Sequence, residues 1–223
     1  MRPAIHSLGR LALCASIVCF WWWLADQPLS GEMNAALIVG GLVLVYPVVW
    51  VGRRVLDRRP TPGRAVWITT LVQFGLGFLL GVPILLAIFT HRHWPGPVLP
   101  VPSGIGLVLV ILTGAALLLT VANLAWKGFG APFFIVLSHK LAADWMYAWT
   151  RNPMALAALA FFASLGIWFQ SLLFVLWALV LFAPALLTFI KVYEERELEL
   201  RFGASYLAYK ARTPMLLPRR PKG

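Results

Sequence analysis

The chain has 223 residues, of which 61% are hydrophobic and only 12% charged, with a mean hydropathy of +0.81. That balance excludes a soluble globular domain, whose surface would have too few groups to offer water. The net charge of +11 does not signal nucleic-acid binding: the bases flank apolar stretches, where topology and anionic headgroups account for them, and no soluble domain presents a groove.

In chain order, residues 9–25, 33–51, 66–90 and 103–126 are each apolar and long enough to cross about 30 Å of hydrocarbon. Residues 154–190 follow as 37 positions without a charge, too long for one crossing and suited to two, with a turn near 166–171. The expectation is an all-α integral membrane protein of six spans, with five as the alternative count. With six, the loops alternate so that 18 of the 19 Lys and Arg residues fall on one side and only Arg92 lies opposite. Both termini are therefore expected to be cytoplasmic. Residues 1–126 read as a four-span scaffold. Residues 127–223 read as a core made of a cytoplasmic loop, the 154–190 hairpin, and a cytoplasmic C-terminal helix and tail that would cap a bound cofactor.

The scaffold carries little chemistry. Arg2 and Arg10 open an apolar run, but no small-residue cleavage site follows, and Trp21-Trp22-Trp23 suits an interfacial anchor of a retained span. Cys14 and Cys19 lie five apart in one span and read as inert. Gly40, Gly41, Gly75, Gly77 and Gly81 offer close helix contacts. Gln73 and Asn123 are the polar exceptions, read as interhelical hydrogen bonds rather than substrate contacts. His91 and His93 have no third ligand nearby and read as a solvated loop, so no metal site is expected.

The loop 127–153 differs, interleaving Gly128, Gly130, Pro132, His139, Asp144 and Arg151 with Trp145, Tyr147 and Trp149. Irregular backbone of this kind cannot lie in lipid with its amides unpaired, so it belongs on the membrane face. Beyond Ile190 the chain continues helically, and four of its eight acids fall within 194–199. Taken alone, Glu194 and Glu195 read as a solvated helix face and Arg151 as a snorkelling cation. Only with the wider motif pattern of residues 127–218 do they suit a zwitterionic sulfonium ligand: Glu194 or Glu195 for its ammonium, Arg151 for its carboxylate, and Tyr147 and Trp149 as aromatic walls.

The order and spacing of several pieces carry a resemblance. They are His139-Lys140-Leu141-Ala142, Tyr147-Ala148-Trp149, Arg151-Asn152-Pro153-Met154, Glu194-Glu195-Arg196-Glu197-Leu198, Phe202-Gly203-Ala204-Ser205-Tyr206, and Pro214 with Pro218, the hairpin lying between the third and fourth. Over residues 127–218 the chain resembles the isoprenylcysteine carboxyl methyltransferases and the related phospholipid methyltransferases. The resemblance implies S-adenosyl-L-methionine as cofactor, held by His139, Lys140, Leu141, Ala142, Tyr147, Arg151, Asn152, Pro153, Met154, Ala155, Glu194 and Glu195. It implies O-methyl transfer of the isoprenylcysteine carboxyl type, or transfer to another lipid, thiol or amine. The acceptor would enter laterally from the bilayer of a bacterial inner membrane to a cytoplasmic-face site. Arg151 and Glu195 are the candidate catalytic residues, and no base is assigned.

Three departures stand out. Ala155 replaces a tyrosine. The familiar Gly-Pro/Val-Tyr turn reads Trp145-Met146-Tyr147, which puts its backbone path in question. Ile190 stands where prenylcysteine enzymes carry an arginine, leaving Lys191 as the nearest cation for a substrate. Two other readings stay in view: a membrane reductase of the sterol-reductase type, and a non-catalytic membrane protein retaining the fold.

Overall fold

A computed structural model of the chain describes residues 2–128 and 141–220, and every long element among them is a helix. In order they are α1 (Arg2–Ala25), α2 (Gly31–Arg58), α3 (Pro62–Thr90), α4 (Ser103–Gly128), the one-turn α5 (Met146–Trp149), α6 (Pro153–Trp168), α7 (Leu172–Phe202) and α8 (Ala204–Arg212). Local chemistry sets the starts. Ser30 caps α2, its Oγ accepting from Met33 N at 3.2 Å, and a proline opens both α3 and α6, where its missing N–H costs nothing. Ser171 caps α7 in the same way, accepting from Phe174 N at 3.2 Å. The three residues 169–171 thus make the hairpin turn expected near 166–171.

Among the described residues four helices are long and apolar enough to cross a membrane: Gly31–Arg58, Pro62–His93, Ser103–Leu124 and Leu172–Phe202. At 16 residues α6 is about 24 Å long, short of the ~30 Å core. The apolar part of α7 ends at Ile190, and the charged residues 191–202 continue the same helix beyond it.

Helix α2 packs along α3, and α4 along α6, while α7 runs against α2, α3 and α6. Small residues set both seams. A Cβ on Gly41 would lie 2.6 Å from Pro83 Cγ, and one on Gly106 would lie 2.4 Å from Trp168 Cα, so the backbones of α4 and α6 approach as only glycine allows. The core of the α2–α3–α7 side is built from Leu42, Val45, Val49, Leu56, Leu76 and Tyr193. At the opposite end His91 is not the solvated loop residue expected. Its ring stacks on Phe169 at 3.7 Å and contacts Ile88 O at 2.6 Å, because the α6–α7 turn lays an aromatic face over the end of α3.

Helix α7 is wound unevenly, with π-helical stretches at Trp177–Phe182 and Phe189–Glu194. Ordinary α winding overshoots a full turn by about 40° every four residues, and the wider π turns take that drift back. Phe182, Leu186, Ile190 and Glu194, spaced four apart, consequently share one face.

A candidate amphipathic active-site cavity

That face of α7 forms one wall of a cavity of about 460 Å³, within the range of small-molecule sites. The others come from α3, α4, α6, α8 and the segment before α6. One end is charged, lined by Arg151, Glu194, Glu195, Glu197 and Arg201 with Tyr147, Tyr206 and Tyr209. The other is apolar, lined by Leu80, Ile84, Leu117, Phe162, Phe182 and Leu186. Between them Thr69, Gln73 and Tyr193 form a polar rung. Helices α3 and α4 do not pack along one another, and Leu118 of α4 lines the cavity while 70% exposed. The cavity therefore opens sideways between them.

At the charged end the glutamates divide into paired and unpaired. Glu195 is buried, with Oε1 2.8 Å from Arg151 Nη1 and Oε2 2.7 Å from Lys210 Nζ. The Arg151 contact is close but poorly aligned for a hydrogen bond, and Arg151 Nε is also buried without one. The pairing is thus Coulombic rather than a two-pronged fork. Glu197 is buried and takes Arg201 Nη1 at 2.8 Å; burial raises its carboxyl above the ordinary range, with Arg201 opposing. Glu194 lies deep in the protein yet opens onto the cavity, and its carboxylate has no hydrogen-bond or ion-pair partner among the described residues. Burial first, then the neighbouring charges of Glu197 and Glu195, push its carboxyl up to about 7.

A wider ionic chain fixes this end. Lys210 also donates to Glu199 at 3.0 Å, Arg196 donates to Glu199 at 3.3 Å and to Asp57 at 2.8 Å, and Arg53 bonds both Asp57 and the Val192 carbonyl. Arg53 thus ties the end of α2 to the π-helical stretch of α7.

The floor is a clasp between the loop and the C-terminal tail. Arg151 N donates to Pro214 O at 2.9 Å, and Met215 O accepts from both Thr150 Oγ1 at 3.1 Å and Asn152 Nδ2 at 2.9 Å. Arg219 N reaches Trp149 O at 3.0 Å, and Tyr209 Oη donates to Tyr147 O at 2.6 Å. The turn leading in, Asp144–Tyr147, is closed by Tyr147 N to Asp144 O at 3.0 Å. Its second residue, Trp145, has φ 56 and ψ −119, a conformation that glycine adopts freely and a tryptophan does not. The glycine-type backbone path is thus present although glycine is not. Trp145 is 63% exposed and gives up little packing if removed. Trp145→Gly is expected to raise stability by about 1 kcal/mol, and Trp145→Ala, which keeps the Cβ, to gain much less. Thermal melts of the detergent-purified proteins compare the two.

Of the residues picked from sequence, Leu141, Ala142, Tyr147, Arg151, Asn152, Met154, Ala155, Glu194 and Glu195 line the cavity together. Pro153 does not line it and instead opens α6. Lys191 is exposed and outside the lining, because it lies about 100° around the helix from Ile190. His139 and Lys140 lie outside the described residues. Sequence reasoning missed Glu197, Arg201, Thr69, Tyr193 and the clasp. The i,i+4 spacing of Glu197 and Arg201 was the available signal, but such pairs are common on solvated helices. Gln73 and Asn123 do not make the expected interhelical hydrogen bonds through their carbonyls: Gln73 Oε1 and Asn123 Oδ1 are both buried without a partner among the described residues.

Residues 102–205 match the phospholipid methyltransferase family. Over 202 residues the chain is 30% identical to Methanethiol S-methyltransferase 2 of Bradyrhizobium diazoefficiens, an alignment that covers 89% of this chain and 64% of the relative. The chain thus spans a little under two thirds of that relative's length. No solved structure matches it. The stretch that matches that family runs from the start of α4 to the start of α8 and includes the charged residues that line the cavity.

Proposed function

We propose that the protein is a membrane methyltransferase that uses S-adenosyl-L-methionine and a lipophilic acceptor. The observation that carries this reading is Glu194, an unpaired carboxylate facing a cavity that is charged at one end and apolar at the other. A half-buried acid without a partner among the described residues suits a cationic ligand group.

Glu194 would hold the cofactor's ammonium, and Arg151, whose Nε is buried and unsatisfied, its carboxylate. Tyr147, Met154, Ala155, Leu141 and Ala142 would wall the remainder. Bound there, the cofactor supplies an electrophilic sulfonium methyl for in-line displacement. The chain's own work is to orient two reactants and exclude water. Glu195, held by Arg151 and Lys210, serves as the anchor of Arg151 rather than as a base. The slot between α3 and α4 supports lateral entry of the acceptor. The relative's name makes a thiol the first acceptor to try. The prenylcysteine carboxylate is less favoured, since Ile190 lines the cavity where an arginine would meet it.

The same reading takes α1–α4, α6 and α7 as six spans, with both termini and the charged end cytoplasmic and residues 127–223 as the catalytic core. The distribution of basic residues supports that orientation, and the bacterial source of the relative supports an inner-membrane location.

Calorimetric titration of S-adenosylhomocysteine into detergent-purified protein tests the assignment. Micromolar binding is expected, and its absence in folded protein would sink the cofactor reading. The pH dependence has a definite sign. Glu194 is protonated below about 7 and ionised above it, while the ligand's ammonium stays charged throughout. Affinity should therefore rise roughly tenfold from pH 6 to pH 8. A flat profile would argue that Glu194 does not meet the ammonium.

A further inference from the structure

We infer that Gln73 holds the head of the methyl acceptor and that this head is uncharged; the inference rests on the methyltransferase reading of the cavity. Gln73 stands on α3 one turn from Thr69, whose Oγ1 lies 3.0 Å from Tyr193 Oη. Tyr193 immediately precedes Glu194, so this rung borders the charged end. On its other side the walls are apolar, through Leu80, Ile84 and Phe182. Gln73 lines the cavity, its Oε1 is buried, and among the described residues its amide makes no hydrogen bond.

An unsatisfied primary amide in apolar surroundings is destabilising, and a leucine there would fill the same space without that cost. The polar group is explained if something that is not part of the chain pairs with it. A molecule whose tail occupies the apolar limb brings its head to Gln73 and Tyr193, beside the end assigned to the cofactor.

The charge of that head follows from the surrounding groups. Arg151 and Arg201, the cations lining the cavity among the described residues, are each held by a glutamate. Glu194 faces the same space, and Ile190 supplies no charge. A carboxylate at the rung would meet an amide and a like charge with no free cation among the described residues. A thiol, hydroxyl or neutral amine can both donate to the amide oxygen and accept from its NH₂.

The test titrates 1-decanol, 1-decanethiol and decanoate at pH 8 into wild-type protein and Gln73→Leu in detergent, with S-adenosylhomocysteine titrated in parallel. Decanol and decanethiol are expected to bind the wild type at least about tenfold more tightly than decanoate. Gln73→Leu should lower the decanol affinity about tenfold, the equivalent of one lost hydrogen bond, while S-adenosylhomocysteine affinity is unchanged and the melting temperature equal or higher. Unchanged decanol affinity in Gln73→Leu, or tightest binding of decanoate to the wild type, overturns the inference while leaving the methyltransferase reading intact. Failure of that reading shows separately, as absence of S-adenosylhomocysteine binding to folded wild type.

Discussion

Glu195→Ala is expected to lower the stability of the purified protein by about 3–4 kcal/mol, a fall of about 10 °C in melting temperature. The carboxylate is buried between Arg151 and Lys210, at 2.8 and 2.7 Å. The two cations fare differently when it is removed. Lys210 is a third exposed and keeps Glu199 at 3.0 Å, so it loses little. Arg151 has only 10% of its side chain exposed and is left as a buried charge with no carboxylate. That uncompensated charge, rather than the lost contact, is the main term. Two comparisons separate the causes. Glu195→Gln retains the shape but not the charge and should fall nearly as far. Arg151→Met combined with Glu195→Leu removes both charges and should recover most of the loss, since apolar replacement of a buried pair is often neutral. If the single and double variants melt together, the pair does not hold this end of the molecule.

Glu194→Gln is expected to weaken S-adenosylhomocysteine binding about a hundredfold, the roughly 3 kcal/mol typical of removing one partner of a desolvated charge pair. Fold stability should not suffer, because no partner among the described residues loses a contact. The removal of an acid whose ionisation is opposed by Glu197 and Glu195 should relieve repulsion instead. The pH dependence supplies an independent check: the rise in affinity between pH 6 and pH 8 should vanish in Glu194→Gln and persist in Ala155→Ser. Binding that is unchanged in Glu194→Gln would move the ammonium to another carboxylate. Binding lost together with the folded state would mean that the side chain is structural.

Much of this arrangement was readable in the chain because membranes make charge and length informative. The apolar runs gave the helices, the uncharged 37 residues gave a hairpin with its turn, and Arg151, Glu194 and Glu195 drew attention as charges bracketing it. What stayed hidden depends on geometry that residue type does not encode. Glu197 with Arg201 looks in sequence like a surface pair, and only burial distinguishes it. In the clasp between 147–152 and 209–219 every acceptor is a backbone carbonyl, a group that every residue possesses. Gln73 looked like a residue for helix pairing because α3 was assumed to have a neighbour on that side, and the side is a cavity. Lys191 was chosen for its charge and nearness in sequence, but adjacent residues on a helix point in different directions.

The uneven winding of α7 has a consequence for chain length. From Phe182 to Glu194 three turns take twelve steps, where uniform α winding would use about 11. The helix carries roughly one surplus residue there without losing the shared face. A single deletion between 189 and 194 can be absorbed by relaxing to tighter winding, with Phe182 and the glutamate still on the cavity side. The same deletion in α3 has no slack to draw on and would turn everything beyond it by about 100°. Gaps and insertions among relatives are therefore expected to collect in α7, the helix that bears the charged end of the cavity, and to be rare in the smoothly wound helices around it.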